Sequence, residues 1–329
     1  MTLRISFLIT CIVVLFSCGN EKPKTTDPVT EEVVEKKDSV QNESPLVREG
    51  ADFISPLGKK LKLTDPPKAY QEKFNEAVAS YKKDPNDLEN MIWLGRRTAY
   101  LGHYQTAINT YSKALLKFPD EPRLYRHRGH RYISIREYDK AIADLEKAAE
   151  LINGKKNKVE QDGLPNDKNI PISTLHGNIY YHLGLAYYLK HNFEKAFQAY
   201  EKGRSIGKND DNIVSTTHWL YMIQKRMGND ELAERQLGPI HDKMNIIENH
   251  SYYDLCKFYK GLIPRDSLLN QDGTPSGDAV KYGLANWDFY NGDGEAAKQG
   301  FENILEGKSW SSFGYIAAEQ DYLKHFSEK

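Results

Sequence analysis

The sequence predicts an all-α chain in which similar pairs of helices stack one after another as a solenoid. Identical residues recur 34 positions apart, at Gly95 and Gly129, Tyr104 and Tyr138, Ala107 and Ala141, and Ala114 and Ala148. Apolar residues spaced by three and four give each helix one buried face. Small residues such as Gly95 and Ala107 would let two helices approach closely, and Tyr111 and Leu115 would fill the gap to the next pair.

Three segments share this phase and carry a family resemblance. Repeat one begins at Leu88 and contains Leu94, Gly95, Gly102, Tyr104, Ala107, Tyr111, Ala114 and Pro119. Repeat two begins at Pro122 and contains Tyr125, Gly129, Tyr132, Tyr138, Ala141 and Ala148, and repeat three begins at Gly177 and contains Tyr180, Gly184, Tyr187, Ala196 and Tyr200. The pattern resembles the tetratricopeptide repeat, a helix-turn-helix unit with a period of about 34 residues. The resemblance implies a right-handed superhelix of about five repeats, although Arg136 replaces the turn glycine of repeat two.

The rest of the sequence divides into further segments before, between and after these repeats. Repeat three starts 55 residues after repeat two, so about 21 residues are inserted between them. The predicted segments are a signal peptide at 1–17, a tether at 18–50, an extended segment and leading helix at 51–87, repeats one and two at 88–155, an inserted loop at 156–176, repeats three and four at 177–237, an irregular region at 238–277, and a degenerate repeat with a capping helix at 278–329.

The N-terminus has the pattern of an export signal. Arg4 precedes the apolar run 5–16, whose helix of about 18 Å is too short for a hydrocarbon core of about 30 Å. Leu15, Ser17 and Cys18 resemble the lipobox of bacterial lipoproteins, which implies lipidation of Cys18. Gly19 after the cysteine favours the outer membrane, so we expect a location in the cell envelope. An ordinary secretory signal with a chance cysteine is the alternative.

Composition and motifs argue against catalysis and nucleic-acid binding. The net charge is −1, so no general positive field would attract nucleic acid. Only Cys256 lies in the body of the chain, and no zinc-ligand spacing, phosphate-binding glycine loop or Ser/His/Asp order is present. We therefore predict no enzyme, no catalytic or metal-binding residues and no cofactor. A metal or acid–base site near His241 and His250 is a minor alternative.

The family resemblance also predicts where a partner would bind. In tetratricopeptide repeats the first helix of each unit faces an open concave groove through its second, fifth, ninth, twelfth and thirteenth positions. Carried onto this chain, these positions give a groove that is basic in repeats one and two and aromatic farther on. The predicted groove residues are Arg96, Tyr100, Arg123, Arg126, His130, Tyr181 and Tyr188.

Guanidinium groups pair well with carboxylates, so the predicted partner is a protein or an acidic peptide segment. The alternative is that these arginines pair with acids of the same chain such as Glu89, Glu121, Glu137 and Asp144. The resemblance thus implies a membrane-anchored scaffold or adaptor of the cell envelope. A glycan- or nutrient-binding lipoprotein that serves an outer-membrane transporter is the second hypothesis. The side of the membrane, the oligomeric state and the roles of 156–176 and 238–277 stay open.

Overall fold

The computed structural model describes residues 53–62, 65–269 and 274–327. The predicted signal peptide, the tether and Cys18 lie outside these ranges. The helices of the described ranges are α1 (Lys68–Lys83), α2 (Leu88–Tyr100), α3 (Tyr104–Lys117), α4 (Pro122–Ser134), α5 (Tyr138–Leu151), α6 (Leu175–Leu189), α7 (Phe193–Ile206), α8 (Asp210–Arg226), α9 (Asp230–Gln236), α10 (His250–Tyr259), α11 (Pro275–Tyr290), α12 (Gly294–Leu305) and α13 (Phe313–His325). None of these helices has both the length and the apolarity that crossing a bilayer requires.

The helices pack as antiparallel neighbours in chain order, which confirms the predicted all-α solenoid of helix-turn-helix repeats. The pairs are α2 with α3, α4 with α5, α6 with α7, α8 with α9, and α11 with α12. The fourth pair is degenerate because α9 has only 7 residues. The region 238–277 contributes α10 and a short 3₁₀ helix at Arg265–Leu268.

Glycine allows the close contact between the two helices of a repeat. A Cβ on Gly95 would lie 2.4 Å from Cε1 of Tyr111, and a Cβ on Gly184 would lie 2.6 Å from Cδ2 of Tyr200. Both rings are almost fully buried. The same glycine-to-aromatic contact therefore packs the first helix on the second within repeat one and within repeat three. The close approach at Gly95 was predicted from the sequence, but Tyr111 was expected to fill the gap to the next pair.

The leading helix starts without a side-chain cap. Helix α1 begins at Lys68, and its N-cap is Pro67, which offers no side-chain hydrogen bond. Upstream of α1, Phe53–Ile54 and Lys60–Leu61 form an antiparallel hairpin of two short strands, β1 and β2. The Phe53 ring stacks on Trp310, with 5.8 Å between ring centroids, so the hairpin packs on the loop before α13.

Helix α13 folds back onto the middle of the chain as well as closing its end. It packs on α11 and α12 and also touches α6. Its first residue, Phe313, lies with its ring 5.4 Å from the ring of His130 in α4 and 5.8 Å from that of His182 in α6. The expected groove is therefore not open along its whole length. Because α13 folds back, apolar groups on the first helices of the repeats are buried against another part of the same chain.

Candidate binding cavities on the inner face

The first helices of the repeats, α2, α4 and α6, are neighbours, and their shared side is called here the inner face. Helix α4 starts with Pro122, a residue that suits the first helical position. Glu121 caps this start by accepting a hydrogen bond from the backbone N–H of Arg123 at 3.1 Å. From this start, α4 directs several of its arginine and histidine side chains toward the inner face. A cavity of about 280 Å³ lies there, and we call it the basic cavity.

The inserted loop forms one wall of the basic cavity. Its two ends are joined by backbone hydrogen bonds, including Leu175 N–H to the Lys158 carbonyl at 2.9 Å. Arg96 donates to the carbonyl of Gln161 at 2.8 Å, which ties the loop to α2. A Cβ on Gly163 would lie 1.8 Å from the Tyr100 hydroxyl oxygen. The insertion is therefore docked on repeat one rather than projecting from a rim.

The insertion places a carboxylate, Glu160, among the basic groups. Glu160 is 8% exposed, and its Oε2 accepts a hydrogen bond from Asn178 Nδ2 at 2.9 Å. The same oxygen lies 3.5 Å from Arg126 Nε, and Oε1 lies 3.3 Å from His127 Nε2. An acid of the chain thus occupies part of the region where an acidic guest was expected.

The charge of the basic cavity comes from its arginines, because its histidines are neutral at pH 7. Burial lowers the pKa of His127, His130 and His182 well below the usual histidine value, and nearby arginines lower it further. Burial also raises the pKa of the Asp162 carboxyl at the cavity wall. The cavity therefore holds three guanidinium groups, those of Arg96, Arg126 and Arg131, against the carboxyl groups of Glu160 and Asp162.

Arg131 differs from the other two arginines in its bonding. Arg96 donates to a loop carbonyl, and Arg126 donates to His127 Nδ1 at 2.8 Å. The Arg131 guanidinium makes neither a hydrogen bond nor an ion pair with any part of the chain that the structure describes, and it lies 5.4 Å from the centre of the Tyr104 ring. Its donors are therefore available to a ligand.

A second and larger cavity adjoins the basic cavity. Its volume is about 870 Å³, and it lies where the N-terminal ends of α6, α8 and α10 approach one another. Asparagine side chains dominate its polar lining, so we call it the amide cleft. Asn178, His182 and Phe313 line both cavities.

The seven predicted groove residues fall into four groups, of which the buried Tyr188 forms the last. Those that line the basic cavity are Arg96, Tyr100, Arg126 and His130. Tyr181 lines the amide cleft, with its hydroxyl donating to that of Tyr252 at 3.1 Å. Arg123 lies outside both cavities, where Glu121 and Glu89 bind its guanidinium, so the predicted pairing within the chain holds for this residue.

Tyr188 differs from its predicted position in the groove. It is 2% exposed, and its hydroxyl lies 2.6 Å from that of Tyr282 in α11. The amide of Asn286 donates to the same oxygen at 3.1 Å. The side chain is unavailable to a partner because α11 packs over it.

Several cavity residues were not among the predicted groove residues, including Arg131, Glu160 and Phe313. Arg131 follows His127 by four positions, so the two share a helical stripe beside the one that carries Arg126 and His130. That spacing was the available signal. Glu160 and Phe313 had no such signal, because loop docking and the return of α13 bring them in from distant parts of the chain.

The cysteine and the two histidines noted in the sequence differ in exposure, because Cys256 is buried whereas His241 and His250 are exposed. Cys256 is fully buried, and burial raises the pKa of its thiol. His241 accepts a hydrogen bond from the backbone N–H of Lys243 at 3.2 Å. Neither His241 nor His250 belongs to a group of three metal-ligand side chains within the described residues.

One cluster in the described ranges does bring three potential metal-ligand side chains together. The ligand atoms of His191, Asp321 and His325 lie within 4.8 Å of one another. However, Arg226 binds both oxygens of Asp321 at 2.9 Å. A guanidinium at this distance repels a second cation, so we interpret the cluster as an ion-pair network.

Comparison with known proteins gives structural matches only. No family model matches the chain, and no curated protein matches it. The crystal structure of MamA is 19% identical, with a TM-score of 0.41, over 59% of this chain and 92% of that chain. YrrB, described as a TPR protein with an unusual peptide-binding site, is 14% identical, with a TM-score of 0.40, over 73% of this chain and 96% of YrrB. Similarity at this level carries no information about function.

The fold is identified by features of this chain itself. Helix pairs recur with a 34-residue spacing in repeats one and two, and a glycine in the first helix faces a buried ring of the second in repeats one and three. Left-handed backbone separates the two helices of each pair, for example at Gly102, with φ of 82°, and at Gly228, with φ of 74°. The chain is therefore an all-α solenoid of helix-turn-helix repeats, and these repeats resemble tetratricopeptide repeats.

Proposed function

We propose that this chain is a lipid-anchored binding protein of the cell envelope that holds an acidic peptide segment of a protein partner on its inner face. The observation that carries the proposal is the composition of the basic cavity. Three guanidinium groups line it, and the Glu160 and Asp162 carboxyl groups oppose them. Even with both acids ionised, one positive charge is left over.

Arg131 is the residue that we assign to the guest carboxylate. Its guanidinium has no hydrogen bond or ion pair within the described ranges, whereas the guanidinium groups of Arg96 and Arg126 already donate hydrogen bonds within the chain. A guanidinium fork can donate two parallel hydrogen bonds to one carboxylate. Partial exclusion of water from the cavity strengthens such a bond relative to the protein surface.

The inserted loop lowers the positive charge that the basic cavity offers to an acidic guest. Glu160 satisfies part of the charge of Arg126, since its Oε2 lies 3.5 Å from Arg126 Nε. The guest therefore meets a cavity whose positive charge is concentrated toward Arg131. This arrangement favours a single acidic side chain or a chain-terminal carboxylate over a run of acidic residues.

Replacing Arg131 with methionine tests the assignment. We expect the affinity for a fluorescein-labelled acidic peptide with a free C-terminus, measured by fluorescence anisotropy, to fall about tenfold or more. A hydrogen bond to a charged group contributes about 1.5–3 kcal/mol, and about 1.4 kcal/mol corresponds to a factor of ten.

Arg123→Met is the matched control on the same helix. The Arg123 guanidinium is held outside the basic cavity by Glu121 and Glu89, so its loss should leave the peptide affinity within about twofold of the wild type. Equal binding by wild type and Arg131→Met would show that the basic cavity is not the peptide site.

The anchor is a separate proposal, supported by the lipobox-like sequence that ends at Cys18. Stable anchoring requires more than one acyl chain, which lipidation of an N-terminal cysteine supplies. In bacterial cells fed a radiolabelled fatty acid, we expect label in the wild-type chain and none in Cys18→Ser. The wild type should sediment with the outer membrane, and Cys18→Ser should move to the soluble fraction. Label retained in Cys18→Ser would contradict the assignment.

A further inference from the structure

The inserted loop connects two repeats that are distant in the chain. On one side, Arg97 in α2 donates to the Gly163 carbonyl at 2.6 Å. On the other side, Asn209, the N-cap of α8, donates to the Ile172 carbonyl at 2.7 Å. From the same loop, Glu160 lines the basic cavity. The docking of the loop therefore determines which charges the cavity presents.

Hydrogen bonds, rather than apolar burial, hold the loop in its docked position. Three of its apolar side chains stay exposed, with exposed fractions of 62% for Val159, 44% for Leu164 and 47% for Ile170. Docking the loop therefore removes little apolar surface from water. A segment held in this way opens locally at a lower free-energy cost than the packed helices that carry it.

Glu160 is incompletely bonded in the docked loop. Its Oε2 accepts a hydrogen bond from Asn178, but its buried Oε1 has no hydrogen-bond partner among the described residues. Its contacts with Arg126 Nε at 3.5 Å and His127 Nε2 at 3.3 Å are longer than the roughly 2.7–2.9 Å of a charge-assisted hydrogen bond. A buried carboxylate bonded in this way loses hydration without full compensation. A guest carboxylate with better geometry can therefore compete with it.

The docked loop also occupies guanidinium groups that a guest could use. Arg96 donates to the Gln161 carbonyl, and Arg126 faces Glu160. Undocking would remove both of these loop partners, so that Arg96 and Arg126 would join Arg131 in facing the guest. Each guanidinium fork can bind one carboxylate. The docked cavity therefore suits one guest carboxylate, whereas the undocked cavity suits at least two.

We propose that the inserted loop regulates the basic cavity as an internal competitor, with Glu160 holding the place that a second guest carboxylate takes when the loop undocks. This inference rests on the proposed function, because it concerns regulation of the same site. A guest with a single acidic group binds Arg131 and leaves the loop docked. A guest with two adjacent acidic groups displaces Glu160 and gains Arg126 as well. Its apparent affinity is lowered by the cost of undocking the loop.

A disulfide across the base of the loop tests whether undocking is needed. Val159 and Thr174 are partners in an antiparallel bridge, and the backbone hydrogen bonds on either side of them make them a non-hydrogen-bonded pair. The Cα atoms of such a pair lie roughly 4.5 Å apart, within the range of roughly 4.4–6.8 Å that a disulfide spans. The double variant Val159→Cys with Thr174→Cys, called here the locked variant, holds Glu160 beside Arg126 when oxidised and releases it when reduced.

The locked variant of the full chain is titrated by calorimetry with two amidated peptides, one with a single glutamate and one with two adjacent glutamates. We expect its oxidised form to bind the two-glutamate peptide about tenfold more weakly than its reduced form, and the single-glutamate peptide with a difference within about twofold. Comparing two redox states of one protein cancels any effect of replacing Thr174, the N-cap of α6. The wild type, which carries Cys18 and Cys256, is the control for the reductant.

Glu160→Gln tests the competing carboxylate directly. Because glutamine removes the charge and keeps an acceptor for Asn178, the affinity for the two-glutamate peptide should rise about tenfold. Asp162→Asn is the matched control, since it removes the same charge from the same cavity wall but not from the contact with Arg126. It should raise the affinity by about threefold or less. Circular dichroism checks that both variants are folded.

Two results overturn the inference. One is equal affinity of the oxidised and reduced locked variant for the two-glutamate peptide, and the other is a gain in Glu160→Gln no larger than that in Asp162→Asn. If Arg131→Met still loses peptide binding in that case, the basic cavity remains the peptide site and only the competition by the loop fails. A wild type that binds neither peptide overturns the inference together with the proposed function.

Discussion

Replacing Asp321 with alanine is expected to lower the free energy of unfolding by about 3–5 kcal/mol, the typical effect of removing one partner from a buried ion pair. Asp321 is 1% exposed and accepts hydrogen bonds from three other elements. Its donors are Arg226 at the end of α8, His191 after α6, and Tyr282 in α11, all at 2.8–2.9 Å. Without the carboxylate, the Arg226 guanidinium is left buried and uncompensated. Urea unfolding at pH 7 measures the loss.

The double variant Arg226→Met with Asp321→Leu is the control, and it should recover much of this stability because no unpaired charge remains. A cost below about 1 kcal/mol for Asp321→Ala would show that the network does not hold α13 in place.

The same network makes stability depend on pH. Burial alone would raise the pKa of Asp321, but Arg226 and the hydrogen bonds hold it well below its usual value. The stabilisation is therefore full above the unfolded-state pKa of about 3.9 and is lost as the pH falls toward the folded-state value. The stability difference between wild type and Asp321→Asn should shrink below about pH 4.

Replacing Arg136 with glycine is expected to destabilise the protein by about 1–4 kcal/mol, even though glycine suits its backbone conformation. Arg136 has a φ of 66°, in the left-handed region. Its Nε donates to Glu319 Oε2 at 2.8 Å, and its Nη2 donates to the Trp310 carbonyl at 2.8 Å. Glycine would relieve strain of about 1–2 kcal/mol, but it would leave the buried Glu319 carboxylate unpaired at a cost of about 3–5 kcal/mol.

The Glu319→Leu background provides the control for Arg136→Gly. There the guanidinium has already lost its carboxylate, so the change to glycine should cost far less or even stabilise the chain. Unfolding of the four proteins in urea gives the coupling energy between Arg136 and Glu319. A loss of stability that is the same in both backgrounds would mean that the ion pair does not explain the arginine.

Arg136 and His191 both occupy turn positions with left-handed backbone, and both bind α13 through their side chains. Repeat one has Gly102 at the turn between its two helices, with φ of 82°, whereas repeat three has His191, with φ of 57°. Both non-glycine turn residues send their side chains to carboxylates of α13, Arg136 to Glu319 and His191 to Asp321. The contacts with α13 offset the backbone strain at these two turns. The missing turn glycine of repeat two was visible in the sequence, but its partner was not.

The candidate site was predictable in part, for a definable reason. The groove positions that the family resemblance implies for α2 and α4 identified Arg96, Tyr100, Arg126 and His130, which line the basic cavity. Such positions carry over because a helix determines which of its residues share a face. Whether such a side chain stays accessible depends on what packs over it. Tyr188 has the same kind of position in its repeat and is buried by α11.

By itself, the sequence determined the helix pairs and their order, because a 34-residue period and glycine-to-ring contacts act between neighbours along the chain. Only the tertiary structure decided that the insertion docks Glu160 beside Arg126 and that Phe313 lies on the inner face. Those contacts join segments far apart in sequence, whose free energies depend on complementary shape and charge after the repeats have stacked. The repeat period of the sequence cannot predict such contacts, because it describes only neighbouring helices.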